Sequence, residues 1–299
     1  MKTTTLAQLG EDALVRRLTE GLPLGADVVA GAGDDCAIVK PLGKGWLQLL
    51  KTDCVVEGVH FLPDTLAERT GWKAMARAVS DIAAMGGEPQ HALVTLLVPP
   101  DCEVSKIEKL YEGLRACAER FGVSIIGGET SRASQLAVVI SMTGRVKAAR
   151  VVRRDGARVG DVIFVTGKLG GSRSGHHLDF VPRVAEAQWL VAHQRIHAMM
   201  DLSDGLGKDL PRMAAASELD FVIDEESLPT NEGCTQEQAW SDGEDYELLF
   251  AVAPRAVKQI TDKWRNKFLE IPLTRVGRFV ALGSGRVPAF RAEGWEHFQ

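Results

Sequence analysis

Two carboxylates three positions apart are enclosed by apolar residues in the stretch Met200-Asp201-Leu202-Ser203-Asp204-Gly205-Leu206. No other feature constrains the fold as much. A solvated acidic loop carries no such Met and Leu flanks, so this segment has to sit in or beside a core. Carboxylates removed from water need compensation by cations, protons or hydrogen bonds. The arrangement recurs along the chain. Asp34 and Asp35 stand between Gly31-Ala32-Gly33 and the apolar run Ala37-Ile38-Val39. Asp53 follows a strand predicted over 46–50, and Asp81 is the one acid in the small, apolar stretch 76–85. Glu129 follows Gly127-Gly128 at the end of a short strand predicted over 123–126. Clustered carboxylates repel one another unless neutralised. Mg²⁺ is a hard ion that favours carboxylates and phosphate oxygens. Such a site suits ATP and phosphoryl transfer, where metals bridge phosphates and the protein needs little covalent chemistry. Accordingly no nucleophile–base pair stands out. The residues alone lead to a metal-dependent phosphate enzyme.

Composition narrows the partners. The chain has 299 residues, enough for two domains with their own cores. Its net charge is −5 and it has no dense Lys/Arg block, which argues against nucleic acid or an anionic membrane surface. No apolar run approaches the ~20 residues of a membrane span. The cysteines, Cys36, Cys54, Cys102, Cys117 and Cys234, are odd in number and lack CxxC spacing. They read as small buried thiols in a reducing cytoplasm, not as a disulfide framework.

Periodicity places the acids on elements. An amphipathic helix is expected over 6–20. A second helix over 66–85 ends at Gly86-Gly87, with Arg77 available as an i−4 partner for Asp81. A third, capped by Asp101, carries Val104, Ile107, Leu110, Leu114, Cys117 and Phe121; Tyr111 lies beside that stripe. Further strands are expected over 55–61, 91–98 and 136–142, the last closed by Gly144. The basic, turn-like stretch 145–160 marks a boundary between domains 1–148 and 149–299. Beyond it, a strand over 162–166 leads into the glycine-rich loop 167–175. That loop is either a phosphate cradle of backbone N–H groups or a flexible connection. A helix over 183–199 carries His193 and His197 at i, i+4, a weak zinc signal without the HExxH glutamate. Residues 225–243 read as loop. Gly243-Glu244-Asp245-Tyr246-Glu247 then runs into a strand over 248–252, followed by a helix at about 255–268 and a strand over 273–280.

Seven ordered motifs, GAGDDCAIV, KTDCVVEGVHF, GWKAMARAVSDIAAMGGEP, GGETSR, MMDLSDGL, GEDYELLF and the tail GWEHF, span nearly the whole chain. Together they resemble the thiamine-monophosphate kinases of the aminoimidazole ribonucleotide synthase superfamily. The resemblance implies an α/β fold of two domains, the N-terminal one pairing its sheet across a homodimer. It implies an enzyme that uses ATP and Mg²⁺ to phosphorylate thiamine monophosphate to thiamine diphosphate. By motif, Asp35, Thr52, Asp53, Asp81, Glu129, Asp201 and Asp204 are the implied metal ligands; catalysis is implied to be metal-assisted, through Asp81 and Asp204, with no separate catalytic side chain assigned. Tyr111, Gly128, Arg150 and Ser203 fall at implied ATP contacts. His60, Glu244 and Trp295 fall at implied contacts to the thiamine moiety. Lys51, Glu129 and Asp242 depart from the family pattern, and the stretches 175–182 and 228–243 are short. These departures leave two alternatives open, another ATP-dependent synthase of the superfamily and a non-catalytic nucleotide-binding paralogue.

Overall fold

Helix α1 (Ala67–Ala84) is built mainly from small and apolar residues, and nearly all of it is buried. Small side chains let other elements approach it closely from several sides. Against α2 (Val104–Phe121) the backbones nearly touch: a Cβ on Gly113 would lie 1.8 Å from the Glu68 carbonyl oxygen, and one on Gly71 1.9 Å from that of Leu110. Met75, Val79 and Ile82 belong to one hydrophobic core, whereas Ala83 and Ala84 belong to another. The helix therefore joins the two halves of the molecule.

The coordinates are a computed structural model that describes residues 28–30, 34–40, 43–286, 288 and 294–295. The expected helix over 6–20, the glycine turn at 31–33 and the tail from Glu296 lie outside the described residues.

The first sheet contains β1 (Val28–Ala30), β2 (Ala37–Val39), β3 (Trp46–Val56), β4 (Glu88–Val98), β5 (Ser124–Arg132) and β6 (Ala137–Lys147), in the order β1-β2-β3-β6-β4-β5. Only β4 and β5 run parallel, and α2 is the crossover that parallel pairing requires. Both helices cover one face. The other face carries Leu50, Leu93 and Ile126 as exposed apolar residues.

The second sheet contains β7 (Val162–Thr166), β8 (Ala198–Asp201), β9 (Leu219–Ile223), β10 (Leu248–Val252) and β11 (Leu273–Ala281), in the antiparallel order β8-β10-β7-β11-β9. Alternate residues of its central strands enter different cores, as the two-residue period of a strand demands. Ile163, Val165, Leu249 and Ala251 meet Leu206, Leu210 and Met213, which lie on the helix Leu206–Ala216. Phe164, Phe250 and Val252 meet Leu190 and the helix Val257–Lys267 through Ile260 and Trp264. The helices of this half, besides a single turn at His176–Asp179, are α3 (Val184–His193), α4 (Leu206–Ala216), α5 (Gln236–Ser241) and α6 (Val257–Lys267).

Several expected boundaries move. β3 is one strand and Asp53 lies inside it, because every residue from Trp46 to Val56 pairs with β6. β5 continues through Gly127-Gly128, and β6 passes Gly144 to end at Lys147. The helix expected over 183–199 stops at His193. His197 leaves it, donating its backbone N–H to Ala251 O, with Nδ1 2.7 Å from Asp161 Oδ2. The two histidines are thus not neighbours on a helix. The expected loop 225–243 contains α5, whose Thr235 and Gln238 form a capping box. The residue at the cap position of α2 is Glu103, not Asp101.

Candidate functional site

Strand pairing brings the two acidic motifs together. Leu248 of β10 lies opposite Asp201 of β8. The pairing runs on past the strand ends, Tyr246 N donating to Leu202 O at 2.8 Å and Glu244 N to Ser203 O at 2.7 Å. Glu244 and Tyr246 hold φ of 64° and 52°, left-handed backbone that non-glycine residues rarely adopt. This strain is found where the motif turns its side chains toward the cleft.

Asp35, ahead of β2, Asp81, in the last turn of α1, and Asp201, at the end of β8, are all buried. Each offers an oxygen within 4.8 Å of the others. Lys51 Nζ lies 2.9 Å from Asp81 Oδ2, Ser80 Oγ donates to Asp201 Oδ2 at 2.5 Å, and Arg154 donates to Asp35 Oδ1 at 2.7 Å. Asp35 Oδ2 is buried with no hydrogen-bond partner. An all-carboxylate donor set with an orphaned buried oxygen fits a hard divalent cation.

The electrostatics agree. Burial, then the charge of Asp35, pushes Asp201 up to about 7. Burial, again with Asp35, pushes Asp34 to about 6. Burial lifts Asp81 well above the ordinary carboxylate range, against the pull of Lys51. Burial alone would lower Lys51, but Asp81 and Asp53 outweigh it and hold the ammonium above the usual lysine range.

The other implied metal ligands are placed differently. Asp53 faces α1 and pairs with Arg77 at 3.1 Å, so Arg77 serves Asp53 instead of the expected Asp81. Asp204 receives Arg212 at 2.5 Å and has Lys208 at 3.7 Å. Its neighbour Asp209 is pushed to about 7 by burial and then by Asp204. Thr52 projects from the opposite face of β3, its Oγ1 3.4 Å from Ser141 Oγ. Glu129 is exposed on the edge strand β5, three strand spacings or about 14 Å from β3. Neither joins the triad.

Beside the acids lies a cavity of about 510 Å³, a size suited to a small organic ligand. His60, Ser203, Asp204, Glu244 and Trp295 all line it, so the implied thiamine contacts converge there. Its apolar wall includes Phe61, Leu178 and Tyr246, whose ring stacks on Phe180 at 3.9 Å. Glu244 Oε1 accepts the fully buried Lys73 Nζ at 2.6 Å, and the same ammonium donates to His60 O at 2.6 Å. Burial lowers Lys73 to about 8, opposed by Glu244. Trp295 N donates to Asp204 O at 3.0 Å, and Lys208 Nζ to Trp295 O at 2.6 Å. The C-terminal segment is thereby tied to the acidic loop.

Of the implied ATP contacts, only Ser203 lines the cavity. Tyr111 packs half-buried on α2 with Arg115 over its ring at 5.9 Å. Gly128 lies on β5, where a Cβ would meet Val94 O at 1.8 Å. Arg150 is exposed, its N–H bonded to Lys147 O at 2.8 Å.

Residue patterns did not single out Lys73, Ser80, Arg154 or His177. A signal existed for Lys73: Lys73, Arg77 and Asp81 recur every four residues and are the charged residues of the helix after its first turn, one charged line on its surface. The short stretch 175–182 closes the cavity. Asp179 pairs with Arg69, and Phe180 O accepts Trp72 Nε1 at 2.8 Å. His177, whose Nδ1 lies 2.6 Å from Ser172 O, faces inward.

The comparisons with known proteins agree with this arrangement. Residues 33–146 match the family model described as AIR synthase related protein, N-terminal domain. Residues 158–288 match that described as AIR synthase related protein, C-terminal domain. A thiamine-monophosphate kinase of Rhodopirellula baltica is 39% identical, covering 90% of this chain and 88% of its own. One of Aquifex aeolicus is 35% identical, covering 98% and 99%. The solved structure of AaThiL complexed with AMPPCP and TMP superposes with a TM-score of 0.82 at 30% identity, covering 99% of this chain and 100% of its own.

Proposed function

Since the chain belongs to the thiamine-monophosphate kinases of the AIR synthase related family, an enzyme class that phosphorylates a phosphate group, we propose that it transfers the γ-phosphoryl group of ATP to thiamine monophosphate with the help of Mg²⁺. The observation that carries this reading is that one acidic stretch serves both places: Asp201 belongs to the triad with Asp35 and Asp81, while Ser203 and Asp204 line the aromatic-walled cavity. Asp35, Asp81 and Asp201 would hold Mg²⁺, with Asp53 and Asp204 at the margins. Bound Mg²⁺ supplies positive charge where phosphate oxygens crowd together.

The chain's own residues do the rest. Trp295 offers a face to the cationic thiazolium ring. Glu244, fixed by Lys73, supplies negative charge beside it. Together they aim the acceptor phosphate at the acids. An oxygen of that phosphate attacks the γ-phosphorus in line; the new P–O bond forms as the bond to the ADP oxygen breaks. The attacking oxygen is already anionic, so no general base is required. The glycine-rich loop 167–175 and Ser203 lie at the same cleft, and Tyr111, Gly128 and Arg150 remain proposed ATP contacts. Thr52 and Glu129 are proposed to act from the open side of the first sheet, apart from the triad.

That open face also supports a homodimer in which the N-terminal domain, residues 1–148, pairs its sheet with a second copy. Leu93, 45% exposed in mid-sheet, is its natural centre. Leu93→Glu is expected to halve the mass measured by light scattering; an unchanged mass contradicts the pairing. No helix among the described residues is long and apolar enough to cross a membrane. The described cysteines are all free, which suits the cytoplasm.

The direct test is a product assay. Protein, Mg²⁺, thiamine monophosphate and ATP labelled in its γ-phosphate are incubated, and label is followed into thiamine diphosphate. Label appearing there supports the reading. Label released only as inorganic phosphate overturns it.

A further inference from the structure

We infer that Lys51 is a resident cation of the acidic centre, occupying a position that a divalent ion would otherwise take, so that the site binds one ion fewer than its carboxylates could hold. The inference rests on reading the triad as a metal site. Lys51 and Asp53, two residues apart on β3, both face α1. Lys51 Nζ reaches Asp81 Oδ2 at 2.9 Å, and its side chain is only 22% exposed. The ammonium thus sits against one corner of the triad, within the field of Asp53.

Charge balance gives the arrangement its meaning. Five carboxylates gather here: Asp34, Asp35, Asp53, Asp81 and Asp201. Three enclosed cations answer them: Arg154 takes Asp34 and Asp35, Arg77 takes Asp53, and Lys51 takes Asp81. A fourth, Arg153, lies 3.9 Å from Asp34 but is 43% exposed and bonded to Asp155, so water screens it. With all five acids ionised and that exposed pair set aside, two negative charges remain, the charge of one divalent ion. The orphaned Asp35 Oδ2 is an open ligand position for that ion, whereas Asp81 Oδ2 is already taken by Lys51. Without Lys51 the balance falls by one more charge and Asp81 Oδ2 becomes an open ligand. A second ion then has both a reason and a place to bind. Lys51 is accordingly a positioning residue that directs the ion toward Asp35 and Asp201.

The test counts ions. Wild type, Lys51→Thr and Lys51→Ala are each titrated with Mn²⁺ in the presence of a saturating non-hydrolysable ATP analogue. Free Mn²⁺ is read from its electron paramagnetic resonance signal, and bound ions per chain are compared. Lys51→Thr is expected to bind one Mn²⁺ more than wild type, and Lys51→Ala, which opens the position without adding a ligand, to gain the same ion more weakly. Both variants should also gain more in melting temperature from Mn²⁺ than wild type does. Equal counts in the wild type and in either folded variant overturn the role of Lys51. If the wild type itself holds no Mn²⁺ beyond that carried by the analogue, the metal-site reading fails, a result separate from equal non-zero counts.

Discussion

The two halves of the cleft compensate their polar groups in opposite ways. The half around Asp35, Asp81 and Asp201 gathers carboxylates from three distant segments and answers them with Lys51, Ser80 and Arg154, yet leaves Asp35 Oδ2 without a partner. The cavity half is walled by Phe61, Leu178 and Tyr246, and its charged groups are held in pairs, Glu244 with Lys73, Asp204 with Arg212 and Arg77 with Asp53. The first half has the donor chemistry that suits a hard cation. The second has the apolar wall and the negative charge that suit a cationic ring system. Transition-state electrostatics should therefore depend on the first, and acceptor recognition on the second.

That division can be broken by substitution. Asp201→Asn should lower kcat about 10³-fold, the order expected for losing preorganised charge stabilisation, with circular dichroism unchanged. Near-normal turnover would remove Asp201 from the site. Glu244→Gln should act on the other half: KM for the acceptor rises about tenfold while KM for ATP holds, a loss consistent with one charge-assisted contact. Trp295→Ala should produce the same selective effect with a smaller size, about fivefold, the worth of one stacking contact. If either cavity variant changed only ATP kinetics, the halves would have been assigned the wrong way round.

The smallest effect is on pH dependence, and it sharpens the contrast. The folded protein holds Asp201 near 7 and Asp34 near 6, above the ordinary value of 3.8. A raised carboxyl means that the fold favours the protonated form. This contribution to stability is complete below the unfolded value and is lost as pH climbs through about 6 to 7. Metal-free protein should thus lose melting temperature between pH 5 and 8, and saturating Mg²⁺ should flatten that decline. A decline of equal size with and without Mg²⁺ would contradict the placement of the ion on these acids.

Much of this was readable from residue order, for reasons that differ by region. The stretch from Met200 to Leu206 announced itself because its carboxylates were sealed between core side chains, and α1 because its apolar spacing was unbroken. Glu244 and Trp295 came only from the motif resemblance; their convergence on a cavity rests on the β8–β10 pairing and on the anchoring of Trp295 to Asp204. What stayed hidden was set by partners far away in the chain. Gly127-Gly128 and Gly144 looked like strand ends, but their neighbours continue the ladder and the lack of a side chain permits close approach, as at Gly128 over Val94. His197 looked helical by spacing and was claimed by Asp161 and by the edge of β10. Arg77 had an acid four residues away and took Asp53 instead, since α1 presents it to β3. Local spacing cannot rank two acids when one is supplied by another strand.

The most direct measurement is anomalous diffraction from crystals of the protein grown with Mn²⁺ and a non-hydrolysable ATP analogue. The account predicts an anomalous peak within coordination distance of Asp35 and Asp201, displaced from Lys51, and none beside Glu244. A crystal with the nucleotide bound and no peak at Asp35 and Asp201, or with the peak inside the cavity at Glu244, would contradict it.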